Sequence, residues 1–119
     1  MLKAPQTLSA QSASNKDNWT NRLNDLTLKI SKLDFDVALI GCGAYGLPIG
    51  AHVKNLGKVA IHIGGSLQLI FAIRGQRWEK KLNAVLASNQ IEVWNWPMES
   101  DTPINASSVE GGAYWGPTN

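Results

Sequence analysis

Residues 36–66, DVALIGCGAYGLPIGAHVKNLGKVAIHIGGS, constrain the fold more than any other part of the chain. Val37-Ala38-Leu39-Ile40 is a short continuous apolar run, and Val59-Ala60-Ile61-His62-Ile63 is another, broken only by its histidine. Such runs, each closed by glycines, predict parallel strands buried on both faces. Between them Ile49, Val53 and Leu56 form a helical inner stripe, and Gly57 stands where that helix should stop. Pro48 fits the helix's first turn, where its missing N–H has no intrahelical partner. The order is therefore strand, glycine turn, helix, strand, glycine turn: a Rossmann-like βαβ unit of α/β class with a small parallel sheet. Gly46 and Gly50, four apart, predict close approach of the helix to that sheet.

The flanks are simpler. Residues 1–14, rich in Ser, Ala, Gln and Thr, read as a flexible leader, and 15–119 as one domain. A helix is expected to start near Asn15 to Asp17, where short polar side chains cap free amides. Trp19, Leu23, Leu26, Ile30 and Leu33 then give it one apolar stripe, opposite Asn21, Arg22, Asn24, Asp25 and Lys29. After the second glycine turn, Leu67 to Ile73 is almost wholly apolar and predicts a buried helix, followed by a basic elbow, Arg74-Gly75-Gln76-Arg77-Trp78. A short helix over 79–88 and an edge strand over 91–96 follow. The prolines and glycines from Pro97 onward predict an irregular, Trp-rich tail pinned by Tyr114 and Trp115. Two or three strands make a thin sheet. A homo-oligomer, most simply a dimer, or a larger fold of which this is half, is the expected remedy. Leu67, Leu69, Ile70 and Phe71, or the outer flank of the first helix, would form the contact.

The candidate site follows from the turns. Gly41-Cys42-Gly43-Ala44-Tyr45-Gly46 fits G-x-G-x-x-G between a strand and a helix, where glycines admit close backbone approach and the helix start favours a phosphate. A dinucleotide site also wants an acid about 20 residues on, to hold the ribose. Here that region offers His62, Gly64 and Gly65, which argues against NAD or FAD. The alternatives are another phosphate or nucleotide site, and a tight turn with a structural role only. Gly64-Gly65-Ser66 repeats the turn; Ser66 either caps its helix or bonds a phosphate. His62 either meets a phosphate, moves a proton, or is a hydrogen-bonded core histidine. Arg74 and Arg77 either neutralise an anion or pair locally. Tyr45 either flanks a ligand or packs on the tail. Cys42 reads as a small packing residue, and His52 as a surface residue. With two histidines and one cysteine, no metal-ligand spacing occurs.

Composition narrows the partners. A net charge of +2 and no long basic run point away from nucleic acid. No segment has the roughly 18 apolar residues of a membrane span. One cysteine and no signal-peptide core fit a cytoplasmic location.

The string DFDVALIGCGAYGLPIGAHVKNLGKVAIHIGGSLQLIFAIRGQRW, with the later WNWP, TPIN and VEGGAYW, resembles the C-terminal part of a group of uncharacterised bacterial proteins of surface-polysaccharide biosynthesis. That group is distantly similar to the GT-D-type glycosyltransferases. The resemblance runs from Trp19 to Trp115. It implies a Rossmann-like fold that takes a nucleotide sugar, with glycosyl transfer as the associated activity. The longer pattern also has preceding strands and an acidic segment for metal and nucleotide, which have no counterpart in these 119 residues.

Overall fold

A computed structural model describes residues 1–5, 18–86 and 93–116. It is mixed α/β and divides into two compact units, Met1–Leu67 and Gln68–Asn119. The expected helix start at 15–17 and most of the expected leader lie outside the described residues.

In the first unit, helix α1 spans Trp19–Ser31. The Asn18 side chain caps it by accepting from the Asn21 amide at 2.9 Å. Strand β1 (Val37–Ile40) leads through a tight turn to α2 (Gly46–Asn55), and β2 (Val59–His62) returns parallel to β1. The register sets Val37 beside Val59 and Ile40 beside His62. Gly57, at φ +76°, turns the chain after α2 with its amide on the Lys54 carbonyl, as its place in the sequence requires. Leu26 and Ile30 of α1 meet Ile49 and Val53 of α2, together with Ile40 and Tyr45, in one core. Leu23 packs against it, and Trp19 stacks on Tyr45 at a centroid distance of 5.5 Å. Most of the apolar stripe read from the sequence is thus the packed one; Leu33 lies past the helix end and is exposed.

The sheet departs from expectation on its other face. Ala38, Ile40 and Ala60 pack into the core, but Val37, Leu39, Val59 and Ile61 are 43–54% exposed. Both helices of the unit share one core with one face of two strands, so alternate residues face out.

The second unit begins within α3 (Leu67–Ile70), which runs across the division. The buried helix expected over 67–73 is only this single turn, and Ile70 and Phe71 are exposed. Ala72 takes φ +54°, a left-handed conformation that stops a helix. The chain then pairs at one parallel bridge, Ile73 with Asn95, which replaces the expected edge strand; residues 91 and 92 lie outside the described set. Helix α4 (Gln76–Leu86) starts inside the expected elbow, ahead of the 79–88 reading. The tail has no strand among its described residues and folds through short 3₁₀ turns. Trp115 is buried and donates its indole N–H to the Asp101 carbonyl at 3.2 Å. The Gln76 amide bonds the Trp115 carbonyl and the Arg77 amide that of Ala113, fastening the tail to the start of α4.

Candidate functional site

The two glycine turns are conformational twins. In the first, Cys42 (φ −131°, ψ 38°) precedes Gly43 at φ +52°, and a 3₁₀ turn Gly43–Tyr45 enters α2. In the second, Ile63 (φ −117°, ψ 7°) precedes Gly64 at φ +58°, and a 3₁₀ turn Gly64–Ser66 enters α3. The Gly46 amide bonds the Gly43 carbonyl just as the Leu67 amide bonds that of Gly64. Glycine is favoured at both left-handed positions because a Cβ is strained there. The opening amides of such turns lack intrahelical acceptors, and no side chain caps either one.

The turns also touch. A Cβ placed on Gly41 would stand 2.6 Å from the Gly64 carbonyl oxygen and 2.7 Å from Leu67 Cβ. Gly46 is bare for a different reason: a Cβ there would stand 2.0 Å from His62 Nε2. His62, last in β2, therefore lies with its ring against the first turn of α2. It is otherwise exposed and has no hydrogen bond among the described residues. The three glycines of the motif thus have separate tasks: turn-to-turn contact, left-handed turn, and room for an imidazole. Gly50 is the exception to the close approach expected of it. Its nearest contacts would be ordinary ones, 3.9 Å to Ile40 Cδ1 and 4.0 Å to Ala60 Cβ. A glycine inside a helix costs about 1 kcal/mol relative to alanine, and packing does not require this one.

The remaining candidates separate. Gly43 and Ala44 are exposed at the first turn, with Gly64 and Gly65 half-buried at the second. Ser66 is exposed and its hydroxyl makes no hydrogen bond among the described residues, so the capping alternative is not realised. The side chain of Tyr45 is buried in the core with its hydroxyl unpartnered, so only its backbone belongs to the turn. Arg74 and Arg77 belong to the second unit and pair locally. Arg74 forks onto Glu79 (Nε to Oε1 3.1 Å, the terminal nitrogen to Oε2 2.7 Å) and lies over Trp96. The hydrogen bond it donates to Glu79 raises the guanidinium pKa. Arg77 reaches Glu110 at 3.1 Å and donates to the Tyr114 hydroxyl at 2.8 Å.

Two other polar groups in the first unit have structural roles. Ser31 Oγ donates to the Thr27 carbonyl at 2.9 Å, so its proton is used. His52 Nε2, also 2.9 Å from Ser31 Oγ, is then the donor to it; the pair ties α1 to α2 and does not activate a nucleophile. Cys42 is half-buried, and burial pushes its thiol pKa up, the opposite of a reactive cysteine.

Sequence reasoning missed the lysines. A groove of about 410 Å³ runs between α2 and β2. Gly46, Gly50 and Lys54 line it from α2, and Lys58, Ala60 and His62 from the strand side. Gly46, Gly50 and Lys54 recur every fourth residue, so their common helix face was the available signal. Lys58 is held by its hydrogen bond to the Phe35 carbonyl and lies over the Phe35 ring at 4.3 Å.

The fold and site define a small parallel βαβ unit of Rossmann-like type with paired glycine turns at the C-terminal ends of its strands. No protein-family model matches the chain, and no significant match is found among curated proteins or solved structures. Among the described residues no three His, Cys, Asp or Glu side chains gather as a metal site, and no helix is long and apolar enough to cross a membrane.

Proposed function

We propose that the βαβ unit binds the phosphate of a nucleotide or nucleotide sugar across its two glycine turns. The observation that carries this reading is the twinning: two uncapped turns of one conformation, in contact at Gly41 and Gly64, at the ends of adjacent parallel strands. Ligands of open α/β sheets bind at the carboxyl ends of the strands, and opening amides without intrahelical acceptors favour an anion there. The ring of His62 lies beside the first turn and supplies a donor without an acceptor to compete for it. A place in glycan biosynthesis, with glycosyl transfer as the associated chemistry, rests on the sequence resemblance alone. Calorimetric titration with UDP, GDP and their sugars tests the binding. Heat with one-to-one saturation is expected; no heat and no thermal shift at millimolar ligand contradict it.

A second reading has its own observation. The outward row Val37, Leu39, Val59 and Ile61 is an apolar sheet face that the described residues leave about half exposed. Parallel sheets are ordinarily covered on both faces. In this reading the unit is a non-catalytic assembly module whose glycines serve packing, and a second copy of the chain covers the face. Light scattering at micromolar concentration then gives twice the chain mass; a monomer mass rejects it.

A further inference from the structure

We propose that the groove between α2 and β2 holds the body of an elongated ligand of the nucleoside diphosphate class, with Lys54 binding its far end. The proposal rests on the phosphate reading of the turns for its near anchor. Gly46 brings the first turn to the groove, His62 stands beside it at the end of β2, and Lys58 immediately precedes the strand. Four steps of strand separate them, roughly 13 Å, a length suited to a nucleoside phosphate lying lengthwise. The groove's volume, about 410 Å³, falls in the range of small-molecule sites. Its apolar lining runs from Gly50, Ala51 and Ala60 to the larger Leu47 and Val59, while Lys54, Lys58 and His62 give donors and no carboxylate lines it. Such a surface admits a flat, weakly polar body with acceptor-rich ends. Lys58 is already engaged by Phe35. Lys54 is exposed and has no partner among the described residues, which makes it the cation available to a ligand.

Gly50 is the independent observation. Its helix has space for a methyl group and would gain from one, yet the position is bare and lines the groove. Gly41 and Gly46 are bare because neighbouring atoms leave no room. The groove reading gives Gly50 a reason that packing does not: a methyl here, set beside Ile40 and Ala60, would take space from the groove.

The test is amide NMR of the full chain titrated separately with UDP, uridine and inorganic phosphate, on the unaltered protein, Lys54→Glu and Gly50→Ala. UDP is expected to shift amides of both the turns and residues 50–54 and 59–62, and phosphate those of the turns only. Lys54→Glu should weaken UDP about tenfold or more. Gly50→Ala should raise Tm by about 4–8 °C and yet weaken UDP by a similar factor. If UDP shifts the turns while both variants bind it as the unaltered protein does, the groove proposal falls and the phosphate reading stands. If shifts are confined to the groove and lost in Lys54→Glu, the turn reading falls, and the proposal falls with its near anchor. No shift with millimolar UDP overturns both. A lower Tm for Gly50→Ala would show that packing needs the glycine and would overturn the argument from it.

Discussion

Gly41 and Gly46, of similar appearance in the sequence, differ in what surrounds them, and their alanine variants should separate accordingly. Gly41→Ala drives a Cβ onto a backbone carbonyl and a side-chain root, neither of which can swing away. It should cost about 1–3 kcal/mol or more in denaturant unfolding. Gly46→Ala first meets the tip of an exposed imidazole. Its cost should be smaller and largely recovered when His62→Ala is added, a coupling that a double-mutant cycle reads directly. Cys42 gives a pH signature. Its folded thiol pKa is raised by burial, so the folded state holds its proton more tightly than the unfolded state does. That contribution to stability is present below the unfolded thiol pKa, about 8.5, and is lost as pH rises through the higher folded value. Unfolding followed from pH 7 to 10 should show the loss, and Cys42→Ala should remove that part of the slope.

At the level of elements, the β1–α2–β2 core was legible because its signals are local and agree. Apolar runs, a helical stripe, a proline at the helix start and a glycine at its end all indicate one arrangement. Val53 marks its centre: it is fully buried, and Val53→Ala should cost about 2–3 kcal/mol by thermal or urea unfolding. What the sequence left hidden was set by the absence or presence of neighbours. Continuous apolarity in Val37 to Ile40 does not distinguish a strand covered twice from one covered once. The apolar run Leu67 to Ile73 likewise carried no sign that Ala72 would adopt a left-handed conformation and end the helix. Tyr45 looked like a turn residue and is a core residue, because Trp19, 26 positions earlier, stacks on it. The partner of Arg77 was no easier to read, since Glu110 is remote in sequence, whereas Glu79 lies only five residues from Arg74. The glycine turns were legible as a motif; the touching of one turn on the other was not, because it depends on strand register.

For the whole molecule, the two units bear differently on function. The first holds the paired turns, His62 and the basic groove. The second holds both elbow arginines, each satisfied by a glutamate of its own unit. Exposed pairs such as Arg77 with Glu110 contribute little to stability, on the order of 0–1 kcal/mol. Arg77→Ala should therefore leave Tm nearly unchanged and, on the present account, leave nucleotide binding unchanged as well. The central claim is that the twin turns are an anion seat. It is tested most directly by a crystal structure of the chain grown with UDP. The account predicts a phosphate group within hydrogen-bond distance of opening amides of both turns, with the His62 ring beside it. A well-ordered nucleotide bound elsewhere, or both turns free of it at saturating UDP, would contradict the account.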